Sequence, residues 1–191
     1  MRRLFHAYRE VDVIPNEISL YEFISRPKNG ISVGKRSYKD IFSTSLADGD
    51  LLQAISLLNA NPQVKIVNIF RDGRDVIESG EMPKRWIDAI RQMLNHQSLI
   101  AVNLRYEDLV KAPDSVQDLI AKTLGLEIEN PFSEYPNFFY YDDVSSMTTY
   151  KPRPISTDRI GKNLELYKSK IKDDGQLQTF ENLLRTLGYV D

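Results

Sequence analysis

Residues 64–80 read VKIVNIFRDGRDVIESG, a mostly apolar run followed at once by two Arg-Asp pairs, a Gly and a Ser. The apolar part, residues 64–70, predicts a strand of a parallel sheet, because strands covered on both faces are apolar throughout. A strand that only had to turn would need Gly, Asn or Pro at its end. The density of charge after residue 70 therefore indicates a binding function at this point.

Helix and strand patterns alternate on both sides of this stretch. The patterns after it predict a second buried strand at residues 99–104, a turn or short helix at 106–110, and helices at 83–95, 114–124 and 176–187. Before it, they predict helices at 2–9, 17–24 and 51–59, a short strand at 11–14 ended by Pro15-Asn16, and a loop at 26–34. Such alternation predicts an α/β fold of three layers, with a central parallel sheet and helices on both faces. Ligands of such sheets bind at the carboxyl ends of the strands.

The bulk composition predicts one soluble domain covering residues 1–191. The formal net charge is −2, which argues against a nucleic-acid surface. The absence of cysteine excludes disulfides, thiolate metal sites and cysteine nucleophiles, and two histidines are too few for a typical His-rich metal site. No run approaches eighteen apolar residues, so no transmembrane helix is expected and a cytoplasmic location is the default.

The charged turn has the chemistry of an anion site. Arg71 comes directly off the strand and can make a bidentate contact, and Ser79 lies eight residues later with a hydroxyl donor. A helix beginning here would add its free N–H groups and its positive end, which makes a phosphate the natural ligand. Asp72 and Asp75 are expected to cap the turn and to hold Arg74. A surface loop with two salt bridges is the alternative, while a metal site through the two aspartates is disfavoured because the arginines would repel the cation.

Three motifs together resemble the sulfotransferases that use 3′-phosphoadenosine 5′-phosphosulfate (PAPS). VNIFRDGRDVIESG resembles the motif in which an Arg and a Ser eight positions later hold the 3′-phosphate, which implies this role for Arg71 and Ser79. LRYEDLVKAP, residues 104–113, is similar to the second signature, whose Tyr packs near the adenine, and this implies a contact for Tyr106. YKPRPISTDRIGKN, residues 150–163, resembles the loop that folds over the nucleotide, with the candidates Ser156, Arg159, Gly161 and Lys162.

One element of that family is missing from the chain. The family's phosphate-binding loop carries a Lys or Arg followed by Ser-Gly-Thr, and no such loop occurs here; the first 17 residues resemble the helix that follows it. The resemblance therefore implies that the first strand and the loop lie upstream of Met1, or that the domain is a natural, degenerate one. The sequences PKNG at 27–30 and GKRS at 34–37 echo phosphate loops but lack the required spacing and hydroxyl residue. Lys35 falls where the family often has a basic residue facing the donor.

The resemblance implies a P-loop-like fold and transfer of a sulfuryl group from PAPS to a hydroxyl or amine, without a metal. Glu17 is the candidate base for the acceptor proton; a simple helix-start carboxylate behind Asn16 is the alternative. The sequence does not decide whether the acceptor is a small molecule, a carbohydrate or a peptide. The aromatic run FFYYDD at 138–143 either lines the acceptor pocket or packs in the core. The missing strand predicts self-association, for instance as a homodimer, and a eukaryotic protein would be in the Golgi.

Two alternatives to a sulfotransferase remain. One is a noncatalytic nucleotide-binding or interaction domain that kept the fold and lost the loop. The other is a P-loop kinase, which is disfavoured because neither a Walker lysine loop nor a convincing magnesium carboxylate is present.

Overall fold

The computed structural model describes residues 2–17, 20–25, 30–35, 51–135, 137, 155–158 and 160–191. Within these ranges the chain is a mixed α/β protein with short parallel strands and helices between them. The candidate Arg159 and the aromatic run at 138–143 lie outside the described residues.

In the described part of the chain, four strands form two sheets of two strands each. The strands are β1 (Val11–Glu17), β2 (Ile31–Lys35), β3 (Ile66–Phe70) and β4 (Ile100–Arg105). β1 pairs with β2, and β3 pairs with β4, in both cases in parallel. Parallel strands that follow one another in sequence require a crossover, and both pairs have helical residues between their strands. One central sheet containing all four strands, as a three-layer fold requires, is not seen among the described residues.

Eight α-helices occur in the described parts of the chain. They are α1 (Leu20–Ser25), α2 (Leu51–Ala60), α3 (Gly73–Glu78), α4 (Pro83–Asn95), α5 (Tyr106–Lys111), α6 (Pro113–Leu124), α7 (Leu166–Lys170) and α8 (Asp174–Thr186). Short 3₁₀ helices occupy Arg2–Ala7, Gln97–Leu99 and Phe132–Glu134. The helices predicted at 114–124 and 176–187 end at Leu124 and Thr186, within one residue of the prediction. Gly125 and Gly188 follow them, each with a positive φ, which glycine adopts without strain.

Two predictions for the N-terminal third are wrong. The first strand does not stop at Pro15-Asn16 but continues to Glu17, with a register shift between Val13 and Glu17. Pro15 lies in this irregular stretch, where pairing is interrupted, and a residue without an N–H is tolerated there. The predicted loop at 26–34 contains most of β2, whose Ile-Ser-Val segment is flanked by two glycines that masked the strand pattern.

Apolar side chains cover both faces of β3. Val67 and Ile69 pack against a cluster formed by the N-terminal 3₁₀ helix, β4 and α6. Phe70, whose side chain alternates with theirs, packs against a second cluster, which includes Trp86 of α4 and Phe180 of α8. The β3–α3 turn therefore leaves the sheet between two packed layers, and this holds the charged residues after Phe70 in a fixed position.

Candidate functional site

The turn between β3 and α3 is pressed closely onto the core. Gly73 begins α3, and a Cβ at this position would lie 2.7 Å from carbon atoms of both Trp86 and Phe180. The indole N–H of Trp86 donates a hydrogen bond of 3.0 Å to the carbonyl oxygen of Arg71. A glycine is needed here because no side chain fits between the backbone and the two rings.

Asp72 organises the turn through several hydrogen bonds. Its carboxylate accepts the backbone N–H of Arg74 at 2.9 Å and pairs with the Arg74 guanidinium at 2.7 Å. These bonds raise the pKa of Arg74. The prediction that Asp72 caps the turn and holds Arg74 is confirmed, whereas Asp75 pairs with Arg71 instead.

Glu107 links this turn to the neighbouring strand end and to the C-terminal segment. The Glu107 carboxylate accepts the backbone N–H of Asp72 at 2.9 Å and the hydroxyl of Tyr189 at 2.8 Å. The Arg74 guanidinium donates to the carbonyl oxygen of Tyr189 at 3.0 Å. Arg105, the last residue of β4, donates to the carbonyl oxygen of Leu187 and lies over the Tyr189 ring.

These contacts modify the predicted anion site. The backbone N–H groups of Asp72 and Arg74 are satisfied by carboxylates, not left open for a ligand. These two N–H groups are therefore already engaged, and binding of the phosphate by other N–H groups at the start of α3 stays a prediction. The guanidinium of Arg71 remains as the cationic element of the proposed site.

Arg71 and Tyr106 come together at the carboxyl ends of the two neighbouring strands. The Arg71 guanidinium carbon lies 5.0 Å from the centre of the Tyr106 ring, which is a favourable cation–π distance. One Nη of Arg71 lies 3.4 Å from a carboxylate oxygen of Asp75. The Arg71 side chain is about a quarter exposed, at 23%, so solvent or a ligand can reach part of it, whereas Asp75 is almost fully buried.

Ser79 lies at the opposite end of α3 from this turn. It is exposed and forms the C-terminal cap of the helix. Its hydroxyl donates a hydrogen bond of 2.7 Å to the carbonyl oxygen of Val76, within the same helix. To donate to a phosphate, the Ser79 hydroxyl would first have to give up this bond.

Gly161 and Asn163 of the C-terminal segment contact α3. The backbone N–H of Gly161 donates to both carboxylate oxygens of Asp75, at 3.0 and 3.1 Å. The side-chain amide of Asn163 donates to Glu78 at 2.7 Å. Ser156 accepts the backbone N–H of Asp158 and Lys162 is exposed. The structure thus brings one residue of the predicted loop, Gly161, into the hydrogen-bond network of Arg71.

Glu17 and Lys35, the remaining candidates, meet in the other sheet. They are the last residues of β1 and β2, and their Cα atoms are register partners across the parallel pair. The sequence analysis gave Glu17 the role of base and Lys35 that of a basic residue facing the donor. The backbone places the two residues side by side at the carboxyl ends of β1 and β2.

Two residues of the site were not identified from the sequence as parts of a network. The pairing of Asp75 with Arg71 could have been predicted from the sequence, because a four-residue spacing on a helix brings opposite charges together. The role of Glu107 had a weaker signal, a carboxylate directly after Tyr106 at a strand end. Its partners are distant in sequence, so no local pattern indicates them.

The described residues also form a concave surface outside this hydrogen-bond network. A shallow cavity of about 230 Å³ between α4 and α8 is lined by charges of both signs, among them Lys84, Asp88, Arg91 and Asp173. No cluster of three or more His, Asp or Glu side chains able to hold a metal occurs in the described ranges. In the same ranges, no helix has the length and apolar character needed to cross a membrane.

The chain was also compared with known proteins. No family model, no curated protein and no solved structure matches it.

Proposed function

We propose that the protein is a PAPS-dependent sulfotransferase whose complete fold is a three-layer, P-loop-like α/β domain. The observation that carries this proposal is the meeting of Arg71 and Tyr106 at adjacent strand ends, with the guanidinium 5.0 Å from the ring centre. A cation beside an aromatic face suits a phosphorylated nucleoside, because the guanidinium binds phosphate oxygens and the ring packs on a base. These are the two residues for which the sequence motifs imply such contacts.

Each candidate has a role in this proposal. Arg71 binds the 3′-phosphate through its guanidinium, Ser79 adds a hydroxyl, and Tyr106 packs near the adenine. The segment with Ser156, Arg159, Gly161 and Lys162 lies over the nucleotide. PAPS, the donor substrate, supplies the sulfuryl group. Glu17 accepts the proton of the acceptor, a small molecule, carbohydrate or peptide carrying a hydroxyl or amine, and Lys35 faces the donor.

A noncatalytic nucleotide-binding or interaction domain is the second candidate. It is favoured by hydrogen bonds that polar groups near the turn already make within the protein. The N–H groups of Asp72 and Arg74 donate to carboxylates, and the Ser79 hydroxyl donates to the carbonyl oxygen of Val76. A domain that had lost its phosphate loop would have fewer ligand contacts to maintain, and such internal bonds would then stabilise the turn alone.

Calorimetric titration with 3′-phosphoadenosine 5′-phosphate and with AMP tests the nucleotide site. Wild-type protein is expected to prefer the 3′-phosphorylated nucleotide, and Arg71→Ala to lose this preference. The loss of one charge-assisted hydrogen-bonding group costs about 1.5–3 kcal/mol, which corresponds to roughly 10- to 150-fold in affinity. Arg85→Ala is the matched control, because Arg85 is exposed and pairs only locally with Glu81. Equal affinity of the wild-type protein for both nucleotides would refute the proposed site.

Transfer of labelled sulfate from PAPS to a panel of alcohols, amines, sugars and tyrosyl peptides separates the two candidate functions. Turnover that Glu17→Gln abolishes, with the affinity for 3′-phosphoadenosine 5′-phosphate unchanged, supports the enzyme with Glu17 as its base. Binding without transfer to any acceptor of the panel would favour the noncatalytic domain.

A further inference from the structure

Asp75 contacts two parts of the proposed site at once. We propose that Asp75 is a positioning residue that couples Arg71 to the segment around Gly161. The proposal rests on the proposed function, in which Arg71 binds the 3′-phosphate of the nucleotide. Asp75 itself touches no ligand in this scheme and acts through the two groups that it holds.

The burial of Asp75 makes its partners important. Its side chain is 1% exposed, so its charge has almost no access to water. A buried carboxylate is costly unless it is paired and hydrogen-bonded. Asp75 meets this requirement with the Arg71 guanidinium at 3.4 Å and the Gly161 N–H at 3.0 and 3.1 Å. Moving either partner away would leave this buried charge less well compensated, which links the two partners energetically.

The Gly161 N–H is held by this hydrogen bond. The φ of Gly161 is +70°, and among the described residues, its chain neighbours aside, the place where a Cβ would be is open space. A second tether joins the same segment to the same helix, from Asn163 to Glu78. The segment is therefore attached to α3 by polar contacts, and the innermost of these contacts is shared with Arg71.

The same geometry fixes the direction of Arg71. Asp75 lies one helical turn after Arg71 and attracts one Nη, while Tyr106 lies against the guanidinium. A long side chain held in this way loses less conformational freedom when it binds a phosphate. Removing the Asp75 charge is expected to weaken phosphate binding for this reason, although it also removes a negative charge from the vicinity of the ligand.

Three variants separate the two contacts. Asp75→Asn keeps an oxygen that can accept the Gly161 N–H but removes the charge that pairs with Arg71. Asp75→Ala removes both contacts. Arg71→Ala removes the ion pair and leaves the bond to Gly161, so the three variants together assign each effect to one contact.

Hydrogen exchange of the Gly161 amide tests the coupling without any ligand. Asp75→Ala is expected to exchange at least tenfold faster than wild-type protein at this amide, and Asp75→Asn less than threefold faster. Circular dichroism and urea unfolding establish that each variant is folded. A Gly161 amide that exchanges equally fast in wild-type protein and in Asp75→Ala would overturn the attachment of this segment through Asp75.

Titration with 3′-phosphoadenosine 5′-phosphate and AMP tests the positioning of Arg71. Asp75→Asn is expected to reduce the preference for the 3′-phosphorylated nucleotide about 5- to 20-fold, with AMP affinity unchanged. General damage to the fold would weaken the binding of both nucleotides. In the Arg71→Ala background, Asp75→Asn should have no further effect on the preference. Glu81→Gln, an exposed acid-to-amide change nearby, is the control and should leave the preference unchanged.

A folded Asp75→Asn protein with the full wild-type preference, or a larger one, would refute the positioning role. Failure of the proposed function looks different, because wild-type protein itself would then show no preference between the two nucleotides. In that case the exchange of the Gly161 amide still decides whether Asp75 holds the segment.

Discussion

Replacing Gly73 by alanine is expected to destabilise the fold, because the first residue of α3 lies directly against two aromatic rings. A Cβ added to Gly73 would lie 2.7 Å from Phe180 Cε2, 2.7 Å from Trp86 Cε2 and 2.8 Å from Phe180 Cζ. Carbon atoms in contact are normally about 3.5–4.0 Å apart. One or both rings, or the helix, must therefore move by about 0.8 Å or more.

Neither ring has room to move freely. Phe180 is fully buried, and its ring centre lies 4.8 Å from that of Trp86. Trp86 is held by the hydrogen bond from its indole N–H to the Arg71 carbonyl. Overpacking of a core costs about 1–3 kcal/mol, and two rings place this case at about 2–3 kcal/mol. The higher helix preference of alanine offsets about 0.5–1 kcal/mol, so a net loss of roughly 1–2.5 kcal/mol is expected.

Urea denaturation followed by circular dichroism measures this loss, and Gly175→Ala is the matched control. Gly175 is the second residue of α8, and a Cβ there would meet only Asp173 Oδ1, at 3.4 Å. Alanine at such a compatible site is expected to stabilise by about 0.4–1 kcal/mol. A Gly73→Ala protein within about 0.5 kcal/mol of wild type would refute the reasoning, as would an equal loss in both variants. In a Phe180→Leu background, the cost of Gly73→Ala should shrink.

Further predictions concern buried polar groups. Gln117→Leu removes a donor to the Asn130 carbonyl and an acceptor for the Phe132 N–H. Each group left unpaired costs about 1–3 kcal/mol, so urea unfolding should show a loss of about 2–6 kcal/mol. A loss below about 1 kcal/mol would contradict this. Burial raises the pKa of Tyr8 and of Tyr189, so each phenol folds protonated, and its contribution is complete below about pH 10 and is lost as the pH rises further. The free energy of unfolding should therefore fall above about pH 10, by up to ~1.4 kcal/mol per pH unit for each tyrosine; an unchanged slope in Tyr8→Phe would show that Tyr8 does not contribute.

Local sequence patterns were sufficient for most elements from residue 51 onward. The helices α2, α4, α6 and α8 have strong periodicity or clear glycine ends, and the strands β3 and β4 are continuous apolar runs. Their parallel pairing followed from the alternation of helix and strand. The grouping of strands into sheets depends on contacts between residues that are distant in sequence. Local patterns could therefore not show whether the strands form one sheet or two. In β2, the Ile-Ser-Val segment between Gly30 and Gly34 was too short to be recognised as a strand.

At the candidate site, sequence reasoning located the strand ends but not the network behind them. The resemblance implied contacts for Arg71 and Tyr106, and their meeting at neighbouring strand ends agrees with the rule that ligands bind at the carboxyl ends of parallel strands. The capping role of Asp72 followed from its position before a helix. The contacts of Asp75 with Gly161 and of Glu107 with Tyr189 span 86 and 82 residues, and such pairings are decided by tertiary packing.

The attachment of the β3–α3 turn to the C-terminal segment has a consequence for biosynthesis. Arg74 donates to Tyr189, 115 residues further along the chain. A ribosome adding ~5–20 residues per second needs roughly 6–23 s to make that intervening length. The nascent polypeptide therefore carries an incompletely tethered turn throughout this interval, and its final form is reached only after Tyr189 has left the exit tunnel.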